Sequence, residues 1–485
     1  MVDPSPLLTQ NSNLQNKIVV STGRSSSLKL LQSIIVALAW IFDGQQTFIT
    51  VFTDSKPNWK CLDLADPICK SASNPCHLKP GSWAWLSPAD TSIVSEWSLE
   101  CADTAILSLP ASAFFAGCIV GGLSLSTLAD SVLGRKMLLI LSCLIMSLAG
   151  CMTVLSPNIW VYSALKFVCG LGRASVGTAS LVLSMEIVDQ RWRDRIGVLG
   201  FAFYMVGFMT LPIMAYVGRN LSWRLLYLCT NVPSFCYAFF LYYTVPESPR
   251  WLMVHNQNKA CYSELHEPNN SSDEKNDFYS SMKILCTSRR ILWMLLAVMA
   301  TSLGISFVYY GMPFAVRNLE TNIYISVGLN ALSELPASLL ALFLTVTMNR
   351  RSSILTLTTI SGLSSFACAF NTTIGAARKL QLAAEVISYC GACTAFNVLM
   401  IYCVELFPTT IRNTAIALVR EAGLLAGVVA PILAAKGENN RFWSYGFFGL
   451  VIVLCGLSCR CLPETKGSEL SDQIEEGENN SIGNC

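Results

Sequence analysis

Seven ionisable side chains stand inside runs of apolar residues, where a charge has little water to hold it. The acids are Asp43, Glu334, Glu385 and Glu421; the bases are Lys166, Arg173 and Arg420. A charge in such a run is costly and rarely faces lipid, so each is a candidate for binding a solute or for pairing with another charge. Glu334 is the acid best placed to meet a cation: at about 1.5 Å of rise per residue it lies ~16 Å along its run, near the middle. Pro336, two residues on, removes an amide N–H and loosens the helix there, which turns backbone carbonyls toward a cavity. Tyr309 and Tyr310 in the preceding run could supply aromatic faces. A quaternary ammonium donates no hydrogen bond, so aromatic rings beside a carboxylate suit it as a receptor. The same tyrosines would equally suit an interfacial belt. Lys166 and Arg173 are seven residues apart and share a helix face. With Arg420 they could hold a carboxylate, as a zwitterion requires. A structural pairing of Arg173 with Asp43 or Glu385 is the alternative.

Other chemistry is not indicated. No glycine-rich loop ending in Gly-Lys-Ser/Thr is present, which argues against chemistry driven by ATP, and His77, His255 and His266 lie in polar segments without metal-ligand spacing. Neither a cofactor nor a metal is expected, and the chain does not read as an enzyme. Gly117, Gly121, Gly122, Gly170 and Gly172 fall inside apolar runs and read as close-packing positions between helices.

The elements that carry these charges follow from composition. Only 13% of the 485 residues are charged, and the mean hydropathy is +0.49, whereas a soluble domain carries about 25% charge. The solvent for most side chains is therefore lipid. The net charge of +2 gives no footing for nucleic acid. The first 29 residues are polar and lack a cleavable signal, so the first apolar run must direct insertion. A bilayer needs about 20 apolar residues per helix. Twelve candidate spans satisfy this, at 30–52, 103–126, 137–155, 159–186, 196–218, 223–245, 291–312, 323–347, 353–371, 379–403, 411–435 and 443–462. The expected organisation is a polar segment 1–29, a six-helix bundle 30–245 carrying a loop 53–102, a central loop 246–290, a second bundle 291–462 and a tail 463–485.

Arg135 and Lys136, then Arg191, Arg193 and Arg195, then Arg350 and Arg351 occupy loops that share one face, joined by the basic central loop. The positive-inside rule makes that face cytoplasmic, with both termini on it. Cys61, Cys69, Cys76 and Cys101 then lie together on the opposite face. An even set in an oxidising compartment points to two disulfides, of three pairings open to four cysteines; free thiols are the alternative.

Three marks recur along the chain. Glu186 with Arg193 is matched by Glu405 with Arg412; Pro246-Glu247-Ser248 by Pro463-Glu464-Thr465; Arg135-Lys136 by Arg350-Arg351. The same order at nearly one spacing indicates two parallel six-helix repeats, an architecture that places one site at the midplane between halves. In LADSVLGRK (128–136), Asp130 ends one helix, Gly134 permits a tight turn, and Arg135 and Lys136 open the next. Such carboxylates and guanidiniums, with Glu186 and Glu405 as further partners, can bridge helix ends in one state and part in the other. A purely topological role is the alternative.

These residues resemble the major facilitator superfamily. LADSVLGRK resembles its signature between helices 2 and 3, and Lys166-Phe167 with Gly170 resembles its basic-x-x-x-Gly pattern in helix 4. PESPRWL (246–252) and PETKG (463–467) are shared by its sugar and organic-cation branches. The chain looks most like the plant-type organic cation/carnitine transporters. The resemblance lies in the cysteine-bearing loop, SFVYYG (306–311), NIYISVGLNALSELPA (322–337) and VELFPTTIRNTA (404–415), and it covers residues 30–467. It implies an all-α membrane protein of twelve helices in two repeats. It also implies secondary active or facilitative transport of organic cations or zwitterions, carnitine-like or polyamine-like, with a proton or sodium as candidate coupling ion, in a plasma or vacuolar membrane. An acid at the position of Glu334 contributes to cation recognition in that family. Helix 7 lacks the Gln-Gln pair of the sugar branch, so sugar/proton symport ranks second. Some animal relatives bear an aspartate in helix 11 where this chain has Leu424; Arg420 and Glu421 sit a turn earlier. A receptor on the same scaffold is a third expectation, disfavoured by a central loop of only about 40 residues.

Overall fold

Apolar runs too long for anything but a helix, bounded by polar side chains that cap them, set the architecture. The computed structural model describes residues 26–62, 69, 75–79, 81–128, 134–248, 251–252, 288–319, 321–370 and 375–465. Among these, twelve helices are long and apolar enough to cross a bilayer: α1 Ser26–Thr53, α2 Thr104–Leu125, α3 Gly134–Thr153, α4 Ile159–Ile187, α5 Gln190–Val217, α6 Trp223–Thr244, α7 Arg289–Leu319, α8 Ile323–Thr347, α9 Arg350–Ala369, α10 Arg378–Leu406, α11 Ile411–Lys436 and α12 Arg441–Cys461. Asparagines mark three of the starts, with Asn440 accepting from the Phe442 amide at 3.0 Å at the head of α12. Asn158 accepts from the amides of Trp160 and Val161 at 3.1 and 3.0 Å, and Asn322 from Tyr324 and Ile325 at 3.0 and 3.4 Å. These bonds satisfy amides that have no partner in the first helical turn.

Several helices overrun the spans expected from sequence. α3 begins at Gly134, α9 at Arg350, and α7 continues to Leu319. The reason is physical: lipid requires apolarity only across its core, whereas the backbone ladder runs on into charged helix ends. Close packing follows the glycines. A Cβ on Gly117 of α2 would lie 2.0 Å from the Phe167 carbonyl of α4, and one on Gly170 of α4 would lie 2.0 Å from the Phe114 carbonyl of α2. The two backbones could not approach so closely with any side chain there.

The first six helices form one half and the last six the other. The halves meet along α2 against α11 and α5 against α8. At one end, called here the disulfide end, Cys61 is bonded to Cys69 and Cys76 to Cys101. Strands β1 (Trp59–Cys61) and β2 (Trp83–Trp85) pair antiparallel within the same segment. A salt-bridged anchor ties this segment to the first half. Arg224 holds both oxygens of Glu96 at 2.6 and 2.7 Å, and the Trp223 indole donates to Glu96 at 2.7 Å. Burial works to raise the Glu96 pKa, but the bonds from Arg224 and Trp223 and the guanidinium charge outweigh it and hold the carboxyl below its ordinary value.

Contacts cross between the halves at the disulfide end. Lys56 pairs with Glu438 at 2.7 Å, and Arg317 donates to the Asp54 carbonyl at 3.0 Å. Phe52 stacks on Tyr324 at 5.9 Å, and Tyr216 meets Tyr324 edge-on at 5.5 Å. At the opposite, basic end, the ion pairs and hydrogen bonds of Lys29, Lys136, Glu186, Arg350 and Glu405 join elements of one half. The molecule is closed at the disulfide end.

Candidate solute-binding site

Glu334 stands in the middle of α8, half-buried, facing α7 and α10. Tyr389 of α10 donates to its Oε1 at 2.8 Å, and the Tyr309 hydroxyl of α7 lies 3.2 Å from the same oxygen and from the Tyr204 hydroxyl of α5. Oε2 has no bonded partner among the described residues and remains accessible. Tyr309 is nearly parallel to Tyr389 at 5.7 Å and to Phe396 at 6.1 Å, and Phe48 of α1 closes in at 6.3 Å. The arrangement is a carboxylate set in an aromatic box contributed by both halves, the geometry that suits an organic cation. Near Pro336 the Ser338 hydroxyl donates to the Glu334 carbonyl at 3.0 Å, and the Asn397 amide reaches Ser338 at 3.4 Å.

The structure brings some of the other candidates together and separates the rest. Tyr310 packs on Phe115 of α2 at 4.7 Å and abuts Tyr309 at 5.0 Å. Arg420 is exposed, although it stands well inside α11, and it lies within electrostatic reach of Tyr310, Arg173 and Asp43. No hydrogen-bond partner holds it among the described residues, so its guanidinium is available to a solute carboxylate. Arg173 is not: it forms a buried ion pair with Asp43, joining α4 to α1. Lys166 is fully buried, its Nζ 4.6 Å from the Phe114 ring centroid and 5.4 Å from that of Tyr227, with no hydrogen-bond partner among the described residues. Glu385 is enclosed inside the second half, where Asn330 donates to it at 2.8 Å. It stands one turn from Tyr389 on α10, as Asn330 does from Glu334 on α8, and so lies behind the box rather than in it. Glu421 presses on Gly122, where a Cβ would lie 2.1 Å from its Oε1.

At the basic end the glutamates of one repeat mark cap the helices that the basic pairs of another mark open. Gly134 starts α3 with φ +77°, and the Lys136 amide donates to Glu247 Oε1 at 2.9 Å. In the second half the amides of Arg350 and Arg351 donate to Glu464 at 2.9 and 3.2 Å. A carboxylate at a helix N-terminus meets free N–H groups and the positive end of the helix dipole. The hydroxyl that follows each glutamate serves the other mark: Ser248 donates to Glu186, and Thr465 donates to Glu405 at 2.6 Å. Arg350 completes the second cluster by pairing with Glu405 at 2.9 Å. Arg412 donates to the Phe407 carbonyl at 3.1 Å, and Arg193 opens the helical part of α5. Asp130 lies outside the described residues, so its expected bridge to Arg135 is not described. Sequence reasoning missed Tyr204, Tyr389 and Phe396, since an aromatic residue in a span carries no mark of its own. It also left Glu247 and Glu464 without partners, although their recurrence was visible.

A two-half bundle of twelve apolar helices, with a carboxylate in an aromatic box between the halves, defines a membrane transporter of the major facilitator fold. The sugar (and other) transporter family matches residues 73–476. The chain is 45% identical to organic cation/carnitine transporter 2 of Arabidopsis thaliana, over 99% of this chain and 97% of that protein. It is 44% identical to organic cation/carnitine transporter 3 of the same plant, over 96% and 93%. A rat organic cation/carnitine transporter 2 is 29% identical, over 80% and 72%. The crystal structure of a D-xylose-proton symporter superposes with a TM-score of 0.64 at 16% identity, covering 91% of this chain and 99% of that one. The inward open xylose transporter XylE from E. coli gives 0.63 at 17% identity, covering 91% and 97%. At such identities the two structures speak for the fold alone. The chain belongs to the sugar (and other) transporter family, in its organic cation/carnitine transporter branch.

Proposed function

We propose that this protein carries organic cations or zwitterions, carnitine-like or polyamine-like, across a membrane by alternating access, as a secondary active or facilitative transporter. The observation that carries the reading is the state of Glu334. Its bonded partners are the neutral hydroxyls of Tyr309 and Tyr389, and no cationic side chain pairs with it among the described residues. A carboxylate out of bulk water needs a counter-charge, and here the solute supplies it. Asp43, by contrast, already has Arg173. Arg420, on the far side of the Tyr309–Tyr310 pair, is placed for the carboxylate of a zwitterion. The disulfide end faces outside or a lumen and the basic end, with both termini, faces the cytoplasm of a plasma or vacuolar membrane. The described state is then closed outside. A proton or sodium ion is the candidate driving ion.

Purified protein in proteoliposomes tests this with labelled tetraethylammonium, carnitine, putrescine and xylose, with and without a proton or sodium gradient. Uptake of the cations and carnitine over xylose is expected. Glu334→Gln keeps the shape and lowers cation uptake at least about tenfold, equivalent to ~1.4 kcal/mol, with unchanged protein yield. Arg420→Gln reduces carnitine uptake and spares tetraethylammonium. Transport confined to xylose or to anions overturns the reading.

A further inference from the structure

The gate at the disulfide end contains an acid that the solute site does not use. Asp54 ends α1 and is buried, 7% exposed. Its Oδ1 accepts from the Tyr162 hydroxyl of α4 at 2.7 Å and from Thr53 at 2.8 Å, and Tyr162 in turn bonds the Tyr227 hydroxyl of α6 at 2.7 Å. The other half reaches the same residue, through the bond from Arg317 of α7 to the Asp54 carbonyl. A cleft between the halves is lined there by Thr50, Asp54, Lys56, Phe314, Arg317 and Glu438. The titratable and charged groups facing Asp54 are therefore Tyr162 and Lys166 from α4, Tyr227 from α6, Arg317 from α7, and Lys56 with its partner Glu438 beside the cleft. None of the cations forms an ion pair with the carboxyl among the described residues. Arg317 spends its bond on the carbonyl, Lys56 is held by Glu438, and Lys166 acts only through its charge.

We infer that Asp54 is a proton-binding site built into this gate, its carboxyl taking a proton from the medium at the disulfide end as the halves close and returning it there as they part. The closed state buries the carboxyl between uncharged hydroxyls. Opening withdraws α7 with Arg317 and lets water in. Burial, the largest influence, lifts the carboxyl from the ordinary 3.8 to about 6, while the bonds from Tyr162 and Thr53 and the charges of Lys166 and Arg317 oppose it. The sign follows: the closed gate binds the proton more tightly than the open one, so acid favours closure. Above about pH 6 both states are ionised and the gate is indifferent to pH. Closure gains as pH falls from about 6 toward 4, by up to about a hundredfold in the open–closed ratio, and levels off below. The proton enters and leaves on one side, so this site senses acidity and does not by itself carry a proton across.

This inference rests on the alternating-access reading only in requiring that the gate open; it is indifferent to the solute and to which face is outside. The test uses full-length protein in nanodiscs, without solute, where both faces share one pH. The rate of methanethiosulfonate labelling of Ala111→Cys, which lines the cleft, is divided by that of Leu86→Cys, exposed in the disulfide segment. The ratio corrects for thiol ionisation. It is expected to fall as pH drops from 7 to 4. In Asp54→Asn it is low and flat, because the amide mimics the neutral acid. In Tyr162→Phe the midpoint moves up in pH, since a bond favouring the charged form is lost. A parent-like pH response in Asp54→Asn, or an unshifted midpoint in Tyr162→Phe, overturns the site while leaving transport standing. No labelling of Ala111→Cys at any pH overturns both the site and the opening of the gate.

Discussion

At the scale of single residues, what distinguishes the two mid-bundle acids is their neighbours. Asp43 and Glu334 both sit in apolar runs, and both could have been read as solute ligands. Asp43 is bound to Arg173, with side-chain exposures of 4% and 13%, and that pair holds α1 against α4. Among the described residues Glu334 has only hydroxyls as partners. Breaking a buried pair by removing one partner leaves an unpaired charge and costs about 3–5 kcal/mol, while replacing both is far milder. Arg173→Gln is therefore expected to lower the thermal unfolding midpoint markedly, and Asp43→Asn combined with Arg173→Gln to recover most of it. Midpoints from intrinsic fluorescence in detergent measure this; a double variant no better than the single would show that the two charges do not depend on each other. Sequence showed Glu334 because an acid two residues before a proline in a span is conspicuous. It left Arg173 divided between pairing and binding, since seven-residue spacing fixes a helix face but not what stands opposite. Tyr389 was invisible because an aromatic residue in a span carries no mark of its own.

At the scale of elements, the repeat was legible as recurrence before its use was. Pro-Glu-Ser and Pro-Glu-Thr follow the sixth and twelfth helices, and in each the glutamate caps a helix from the same half while the hydroxyl bonds the acid at the end of another. Spacing in sequence cannot disclose this, because the partners lie about 55–115 residues apart and meet only when three helix ends converge. The basic residues read as latch partners of Asp130, Glu186 and Glu405; Arg350 pairs with Glu405, while the bonds from Lys136, Arg350 and Arg351 to Glu247 and Glu464 come from backbone amides. Glu464→Gln keeps an acceptor but removes its charge, and losing the cap altogether costs about 1 kcal/mol. Glu464→Ala is then expected to speed amide exchange in the first turn of α9 about fivefold and Glu464→Gln less, while the α3 amides capped by Glu247 stay unchanged. Hydrogen-exchange mass spectrometry on both starts reads the difference; equal acceleration at α3 would mean that the whole end had loosened.

At the scale of the whole molecule, twelve helices and two halves follow from apolarity and recurrence alone, but which end is closed depends on a few side chains at and just beyond the helix ends. Nothing in the sequence singles out Lys56 and Glu438, and they meet only because α1 and α11 end side by side. Their pair is 33% and 30% exposed, so solvent and salt screen it, and its net worth is at most about 1 kcal/mol. That modest value suits a contact that must form and break in every cycle. Lys56→Glu replaces attraction with repulsion at the same spot and should shift the halves toward opening a few-fold. The readout is labelling of Ala111→Cys from the disulfide end at neutral pH, where both forms of the gate leave Asp54 largely ionised. The gain is expected at low ionic strength and should fade as salt approaches about 1 M, where the screening length falls to about 3 Å. Glu438→Lys alone should act in the same direction, and the two reversals together should return labelling to the parent level. A double reversal that stays open would mean that closure depends on the shape of these side chains or on Arg317, and not on the attraction between Lys56 and Glu438.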